Sequence, residues 1–150
     1  MILSGPSIRA CAPLDPIVEK TIHPETGTSF GLSLCGYDIR IRERVALNRG
    51  GFALTSTLER FDMPNQIMGV VHDKSTWARR GLAVQNTVIE PGWRGYLTLE
   101  LTAHLSGLEI PAGAPIAQII FHQIDRPTAG YAGKYQDQPA RPVAAIAEVA

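Results

Sequence analysis

Four stretches of the sequence carry side chains able to hold a small anion or move a proton. From His72 to Leu82 the chain reads His-Asp-Lys-Ser-Thr-Trp-Ala-Arg-Arg-Gly-Leu. A β-type run feeds this stretch, and a short helix is expected to begin near Ser75. A helix N-terminus presents unpaired N–H groups and a partial positive charge. Lys74 and the hydroxyls of Ser75 and Thr76 would complete a phosphate cradle there. Ser75 and Arg79 are four residues apart and share a helix face. An N-cap serine followed by two solvated arginines fits the same spacing, so local pattern leaves both readings open. The second stretch, Val88-Ile-Glu-Pro-Gly-Trp-Arg-Gly95, reads as a hairpin or tight connection. Trp93 beside its Pro-Gly turn is either a wall for a ligand or a plug of the core. In the third, Glu100 lies on the polar face of an alternating strand with Thr98 and Thr102. Such a carboxyl is usually solvated, and it gains a role only where that face lines a pocket. The fourth runs from Tyr131 to Gln138 and holds two tyrosines, Lys134 and two amides. That mixture suits either a flap closing over an anionic ligand or a merely soluble tail.

Other chemistries lack their residues. There is no C-x-x-C and no H-x-E, which a zinc deaminase uses to hold its metal and activate water. His23, His72, His104 and His122 are scattered and do not pair at metal-ligand spacing. No G-x-S-x-G, Walker A or Rossmann fingerprint occurs.

The elements that must position these side chains are short. The 14 glycines and 11 prolines are spread along the chain and leave little room for long helices. Tyr37 to Arg42 and Tyr96 to Thr102 alternate polar and apolar residues. Gln66 to Val71 and Pro115 to Phe121 are apolar and rich in β-branched types. Turn signals at Asn48 to Gly51, Pro91-Gly92 and Pro111 to Pro115 separate them. The pattern predicts an all-β sandwich, barrel or jelly roll. Two short helices are expected, Ser4 to Cys11 with Ser4 as N-cap, and Lys74 to Arg80 stopped by Gly81. Pro127 to Ala150 reads as an extended or mobile tail, and the whole chain reads as one domain.

Composition narrows the class. The 150 residues are 45% hydrophobic and 19% charged, which suits a globular chain with one core. Fourteen basic residues balance fourteen acidic ones, which argues against a nucleic-acid polymer as partner. No apolar run approaches the roughly 20 residues that span a bilayer. The opening Met1 to Ala10 lacks the basic and apolar regions of a signal peptide. Cys11 and Cys35 are too few for a disulfide framework, and a reducing cytoplasm is expected.

These residues, in this order, resemble the dCTP deaminases, which share a fold with the trimeric dUTPases. The resemblance covers nearly the full length. Met1 to Ala10 resembles that family's N-terminal helix, and Cys35-Gly-Tyr-Asp-Ile-Arg40 its early S-x-D-x-R-L strand. Leu54 to Leu82 tracks its L-x-x-T-L-E block and G-R-S-S-L-A-R-x-G-L segment, here Asp-Lys-Ser-Thr-Trp-Ala-Arg-Arg-Gly-Leu. Its I-D-P-G-W motif stands as Ile89 to Trp93, its x-T-L-E as Leu97 to Glu100, and its Y-x-G-K-Y-Q-x-Q tail as Tyr131 to Gln138.

The resemblance implies a distorted jelly roll or barrel of the dUTPase-like type, with 127–150 as its C-terminal flap. It implies zinc-independent hydrolysis of dCTP to dUTP and ammonia. Glu100 would shuttle protons among the attacking water, ring N3 and the leaving ammonia. Ser75 would help hold the water, and Arg79 would support the charge beside the substrate. Lys74 and Thr76 fall in the phosphate segment, and Tyr131, Lys134 and Gln138 in the flap over the triphosphate. Trp93 falls beside the deoxyribose. The Leu82 to Ile89 hairpin, with Asn86, Thr87 and Val88, meets the base, and Glu90 borders it. The family is homotrimeric, builds its sites between subunits, and uses Mg²⁺ carried on the phosphates.

Four departures bear on these expectations. Asp73-Lys74 replaces Gly-Arg, which removes a bidentate fork for phosphate. The 82–89 hairpin is about two residues shorter than is usual in the deaminases. Glu90 replaces Asp, moving a carboxylate by roughly a bond length, which counts against efficient hydrolysis of dUTP. Ala103 stands where Asn often follows, and Pro139 to Pro142 replaces a Gly-Pro ending. A related enzyme therefore stays in view: a deaminase of dCMP or of a modified deoxycytidine nucleotide, a bifunctional deaminase–diphosphatase, or a dUTPase. So does a nucleotide-binding protein without turnover.

Overall fold

The structure is a computed structural model, described here for residues 1–148. Fully buried side chains from two sheets make its core: Tyr37, Ile39, Val71, Ile119 and Phe121 from one, Phe61, Leu99 and Leu101 from the other. Each such side chain contributes about 1.5–3 kcal/mol on leaving water, which is what holds strands this short together.

Element order is α1 (Gly5–Cys11), β1 (Leu14–Asp15), β2 (Thr21–Ile22), β3 (Ser29–Leu32), β4 (Tyr37–Arg40), β5 (Val45–Leu47), β6 (Phe52–Asp62) and β7 (Ile67–Asp73). Then come α2 (Ser75–Ala78), β8 (Leu82–Val84), β9 (Val88–Ile89), β10 (Arg94–Ala103), β11 (Leu108–Ile110) and β12 (Pro115–Gln123). One sheet runs β1-β6-β10-β8, a second β2-β3-β4-β12-β7-β9, and β11 pairs with β5 alone. Every ladder is antiparallel. This is the expected all-β architecture with two short helices. No helix among the described residues is long and apolar enough to cross a membrane.

The anticipated strands are present as β4, β7, β10 and β12. The eleven-residue β6 departs from simple alternation, because Thr55, Ser56, Thr57 and Glu59 are all fully buried. Its register against β10 jumps between Tyr96 and Thr98. At that bulge the Leu97 amide donates to Thr57 Oγ1 at 2.9 Å, and the same hydroxyl donates to the Glu59 carbonyl at 2.7 Å. A side chain thus replaces the missing ladder bond, as buried backbone groups require. Glu59 accepts the Arg40 amide at 3.0 Å and Arg40 Nε at 2.8 Å. Burial raises the Glu59 pKa, against the pull of Arg40. Burial, with Glu59 nearby, pushes the Tyr37 hydroxyl up to about 12.

Three local expectations are corrected. Residues 82–89 do not form a hairpin: β8 pairs with β10 and β9 with β7. The link crosses between sheets because the Gln85 amide donates to the Glu100 carbonyl at 3.0 Å, while Thr87 accepts the Val71 amide at 3.0 Å. The second helix has four residues, with Lys74 rather than Ser75 at its N-cap. It ends early because the next turns tighten, the Arg80 amide donating to the Trp77 carbonyl at 2.9 Å and the Gly81 amide to the Ala78 carbonyl at 3.0 Å, before Gly81 turns the chain at φ +87°. Finally, the tail lies along β10, bridging Gly95 to Gln138, and Tyr131 packs against the core.

Candidate active site

Strand β10 carries Glu100, and its neighbours build a cavity of about 430 Å³ around it. Core-facing Leu99, Leu101 and Ala103 fix the strand, so Thr98 and Glu100 share the opposite face. Register places Leu54 of β6 directly opposite Glu100, and Phe52 opposite Thr102. The link before β9 brings Thr87 and Val88, and the Pro-Gly turn brings Glu90 and Trp93. The tail closes the remaining side with Tyr131, Tyr135, Gln138, Val143 and Ala145.

Glu100 is half-buried, and its carboxyl has no side-chain hydrogen-bond partner among the described residues. Burial raises its pKa above the usual 4.5, against a smaller opposing pull from its own backbone amide. A carboxyl held this way keeps its proton to higher pH, which suits general acid–base work. Trp93 is both wall and plug. Its ring packs at 5.9 Å from the Phe61 centroid, and its indole N–H donates to the Tyr135 carbonyl at 2.6 Å. No Lys or Arg lines the cavity, while two carboxylates do. It therefore suits the neutral base and sugar of a ligand better than a phosphate chain.

Of the residues singled out from sequence, Glu100, Thr87, Val88, Glu90, Trp93, Tyr131 and Gln138 meet in this cavity. Ser75, Thr76, Arg79, Lys74, Asn86 and Lys134 do not line it. Ser75 and Arg79 are exposed on α2, one turn apart, the Arg79 amide donating to the Ser75 carbonyl at 3.0 Å. Lys74 is turned inward and donates to Asp38 Oδ2 at 2.6 Å, each side chain only 10% exposed. Asp73 is used locally, accepting the Val84 amide at 2.8 Å and anchoring β8. Asn86 is exposed in the crossover. Lys134 pairs with Glu148 at 3.0 Å, which raises its pKa. Phe52, Leu54, Leu97, Tyr135, Val143 and Ala145 were not singled out. Only the β6–β10 register reveals the first two, and only the folded tail reveals the last two. No three His, Cys, Asp or Glu side chains converge on a metal site among the described residues.

Comparison with known proteins bears on the family and the fold. The dCTP deaminase-like family profile matches residues 36–124. The dCTP deaminase of Campylobacter fetus subsp. fetus is 35% identical over 160 aligned positions, covering 83% of this chain and 85% of that protein. The alignment is longer than the chain itself, so the relative carries insertions. Among solved structures, the 2′-deoxycytidine 5′-triphosphate deaminase from Agrobacterium tumefaciens superposes with a TM-score of 0.61 at 16% identity, over 81% of this chain and 47% of that one. The EIAV dUTPase gives 0.54 at 20% identity, over 67% and 85%. These two likenesses establish a dUTPase-like fold. From the matched profile and the shared sequence, the chain belongs to the dCTP deaminase-like family.

Proposed function

We propose that the protein deaminates dCTP to dUTP and ammonia without zinc. The observation that carries this is Glu100, unpartnered and desolvated in a cavity fit for a base and sugar, in a member of this family. Ionised Glu100 takes a proton from water as its oxygen bonds to C4, and passes that proton to N3. The resulting C4 hydroxyl proton then goes to the amino group through the same carboxyl. The C4–N bond breaks, the C4 carbonyl forms, and ammonia leaves. One water is consumed per dCTP. A closed, water-poor cavity makes positioning effective where no metal activates the water.

Trp93 borders the deoxyribose, and Thr87, Val88 and Glu90 the base, with Asn86 at the mouth. Ser75 and Arg79 act on water and substrate charge from outside this cavity. A second copy must therefore bring them, which supports a homotrimer with sites between subunits. The triphosphate is assigned to Lys74 and Thr76, and to Tyr131, Lys134 and Gln138 of the tail. Lys74 has the smallest share, its charge being met by Asp38. Mg²⁺ would be carried on the phosphates of the nucleotide and would screen their charge. We read the chain as one dUTPase-like domain, 1–150, with 127–150 its flap (149–150 lying outside the described residues), acting in the cytoplasm on a nucleotide.

The test is product analysis with purified protein and Mg²⁺, offering dCTP, dCMP and dUTP separately. Ammonia and dUTP from dCTP, without pyrophosphate, is the expected result. Inert dCTP would overturn the proposal, and turnover of dCMP or dUTP instead would identify the related enzyme.

A further inference from the structure

We propose that Thr98 is a positioning residue for this site, its hydroxyl latching the chain's own tail over Glu100. The proposal rests on the reading of Glu100 as the reacting carboxyl. Thr98 precedes Glu100 by two residues on β10, so the two side chains leave the same face, and both line the cavity. Thr98 itself is buried. Its hydroxyl donates to Gln138 Oε1 at 3.1 Å and accepts the Val143 amide at 3.1 Å. One proton and two lone pairs allow both bonds at once.

The first part of the tail has many holds on β10. The Trp93 indole donates to Tyr135, the Asp137 amide to the Arg94 carbonyl, and the Tyr96 amide to the Gln138 carbonyl. Gly95, at φ +132°, makes room for it, since a Cβ there would lie 2.5 Å from the Gln138 nitrogen. Beyond Gln138 these holds stop. Pro139 and Pro142 have no N–H to give. Among the described residues, the Val143–Thr98 bond is the one hydrogen bond that ties 139–148 to the strands. Yet Val143 and Ala145 form part of the cavity wall. The Ile146 amide also donates to Tyr135 Oη at 2.9 Å and Glu148 pairs with Lys134 at 3.0 Å, but those partners belong to the tail itself, so the Thr98 hydroxyl is the direct tie between this wall and the strand that carries Glu100. Closure of such a wall excludes water from the reacting carboxyl and seats the substrate.

The test compares wild type with Thr98→Val, which keeps the branched shape and removes the hydroxyl, and Thr98→Ser, which keeps the hydroxyl. Amide hydrogen exchange of the 139–148 segment is measured without nucleotide, with peptides from β6 and β12 as the control for folding. Steady-state dCTP deamination is measured in parallel. Each neutral hydrogen bond lost changes an equilibrium by roughly 3- to 10-fold. Thr98→Val should therefore raise exchange at Val143 about tenfold and lower kcat/KM by a similar factor, with the β6 and β12 peptides unchanged. Thr98→Ser should stay near wild type in both. A wild-type tail and wild-type kinetics in Thr98→Val overturn the latch, as does a serine variant as impaired as valine. The two readings fail separately. A loosened tail in Thr98→Val, beside a fully active Glu100→Gln, keeps the latch and discards the role of Glu100.

Discussion

Replacing Lys74 by Met removes an ammonium 2.6 Å from the Asp38 carboxylate, where each side chain is a tenth exposed. Asp38 sits in mid-sheet, opposite Gly31 of β3 and Gln118 of β12. Breaking a buried ion pair from one side costs about 3–5 kcal/mol, because the surviving charge stays desolvated. The slight exposure here admits some water, which favours the lower end, about 3 kcal/mol. At ~2–4 °C per kcal/mol for a chain of this size, Tm should fall by roughly 6–12 °C. Thermal melts of K74M, D38N and the double variant, at one fixed protein concentration, measure this. The double variant should recover more than half the loss, since neither charge is then stranded. The dCTP KM of K74M should rise less than tenfold. The reasoning is refuted if K74M melts within about 2 °C of wild type while its KM rises tenfold or more. That result would make the ammonium a phosphate ligand rather than the partner of Asp38.

Glu100→Gln should lower ammonia release from dCTP by about 10²–10⁴-fold, the usual worth of a positioned general acid–base, as a coupled ammonia assay would read. Its stability should carry a pH signature. A carboxyl whose pKa is raised on folding stabilises the fold fully below its unfolded value near 4.5, and that contribution is lost as pH rises through the folded value. Urea midpoints should therefore show Glu100→Gln at least as stable as wild type at pH 8, an advantage absent at pH 4. Glu90, Tyr131 and Tyr135 share the cavity and are kept constant in this comparison. A less stable variant at pH 8 would contradict the desolvation argument. Gly95→Ala places a Cβ against the Gln138 backbone, so trypsin should cut after Lys134 faster than in wild type. An unchanged cleavage rate would show that the tail does not dock there. Chelating Mg²⁺ should stop dCTP turnover and leave Tm of the nucleotide-free protein unmoved, because no metal-binding cluster supports the described fold.

Period-two patterning exposed β4 and β10, and apolar β-branched runs exposed β7 and β12, because each sets apolar side chains against one core. It did not expose β6, where Thr55, Ser56, Thr57 and Glu59 are buried. Thr57 is met at the bulge, Glu59 by Arg40 and Ser56 by Glu43, while the buried Thr55 hydroxyl has no partner among the described residues, and no linear pattern records any of this. The 82–89 link misled for a related reason. Two short apolar runs around a polar tripeptide read as a hairpin, but the strands' partners, β10 and β7, lie in different sheets. In the site, Glu100 and Trp93 stood out by type and position, but each kept a purely structural reading until the family resemblance was drawn. Phe52 and Leu54 were not, since they reach the cavity through cross-strand register alone.

The distribution of charge explains why the sequence grouped residues that the protomer separates. Glu90 and Glu100 line the cavity without a cation, whereas Arg79 is exposed on α2 and Lys134 is engaged in the tail. Placing an arginine beside Glu100 in one chain would form an ion pair. That would pull the carboxyl toward ionisation and oppose the burial that raises its pKa. In the proposed function a second copy brings the cation to a carboxyl that is already partly desolvated, so burial and charge act on Glu100 in opposite directions. On that proposal, the separation of Arg79 from Glu100 within one chain makes assembly the step that would bring base, phosphate and carboxyl together.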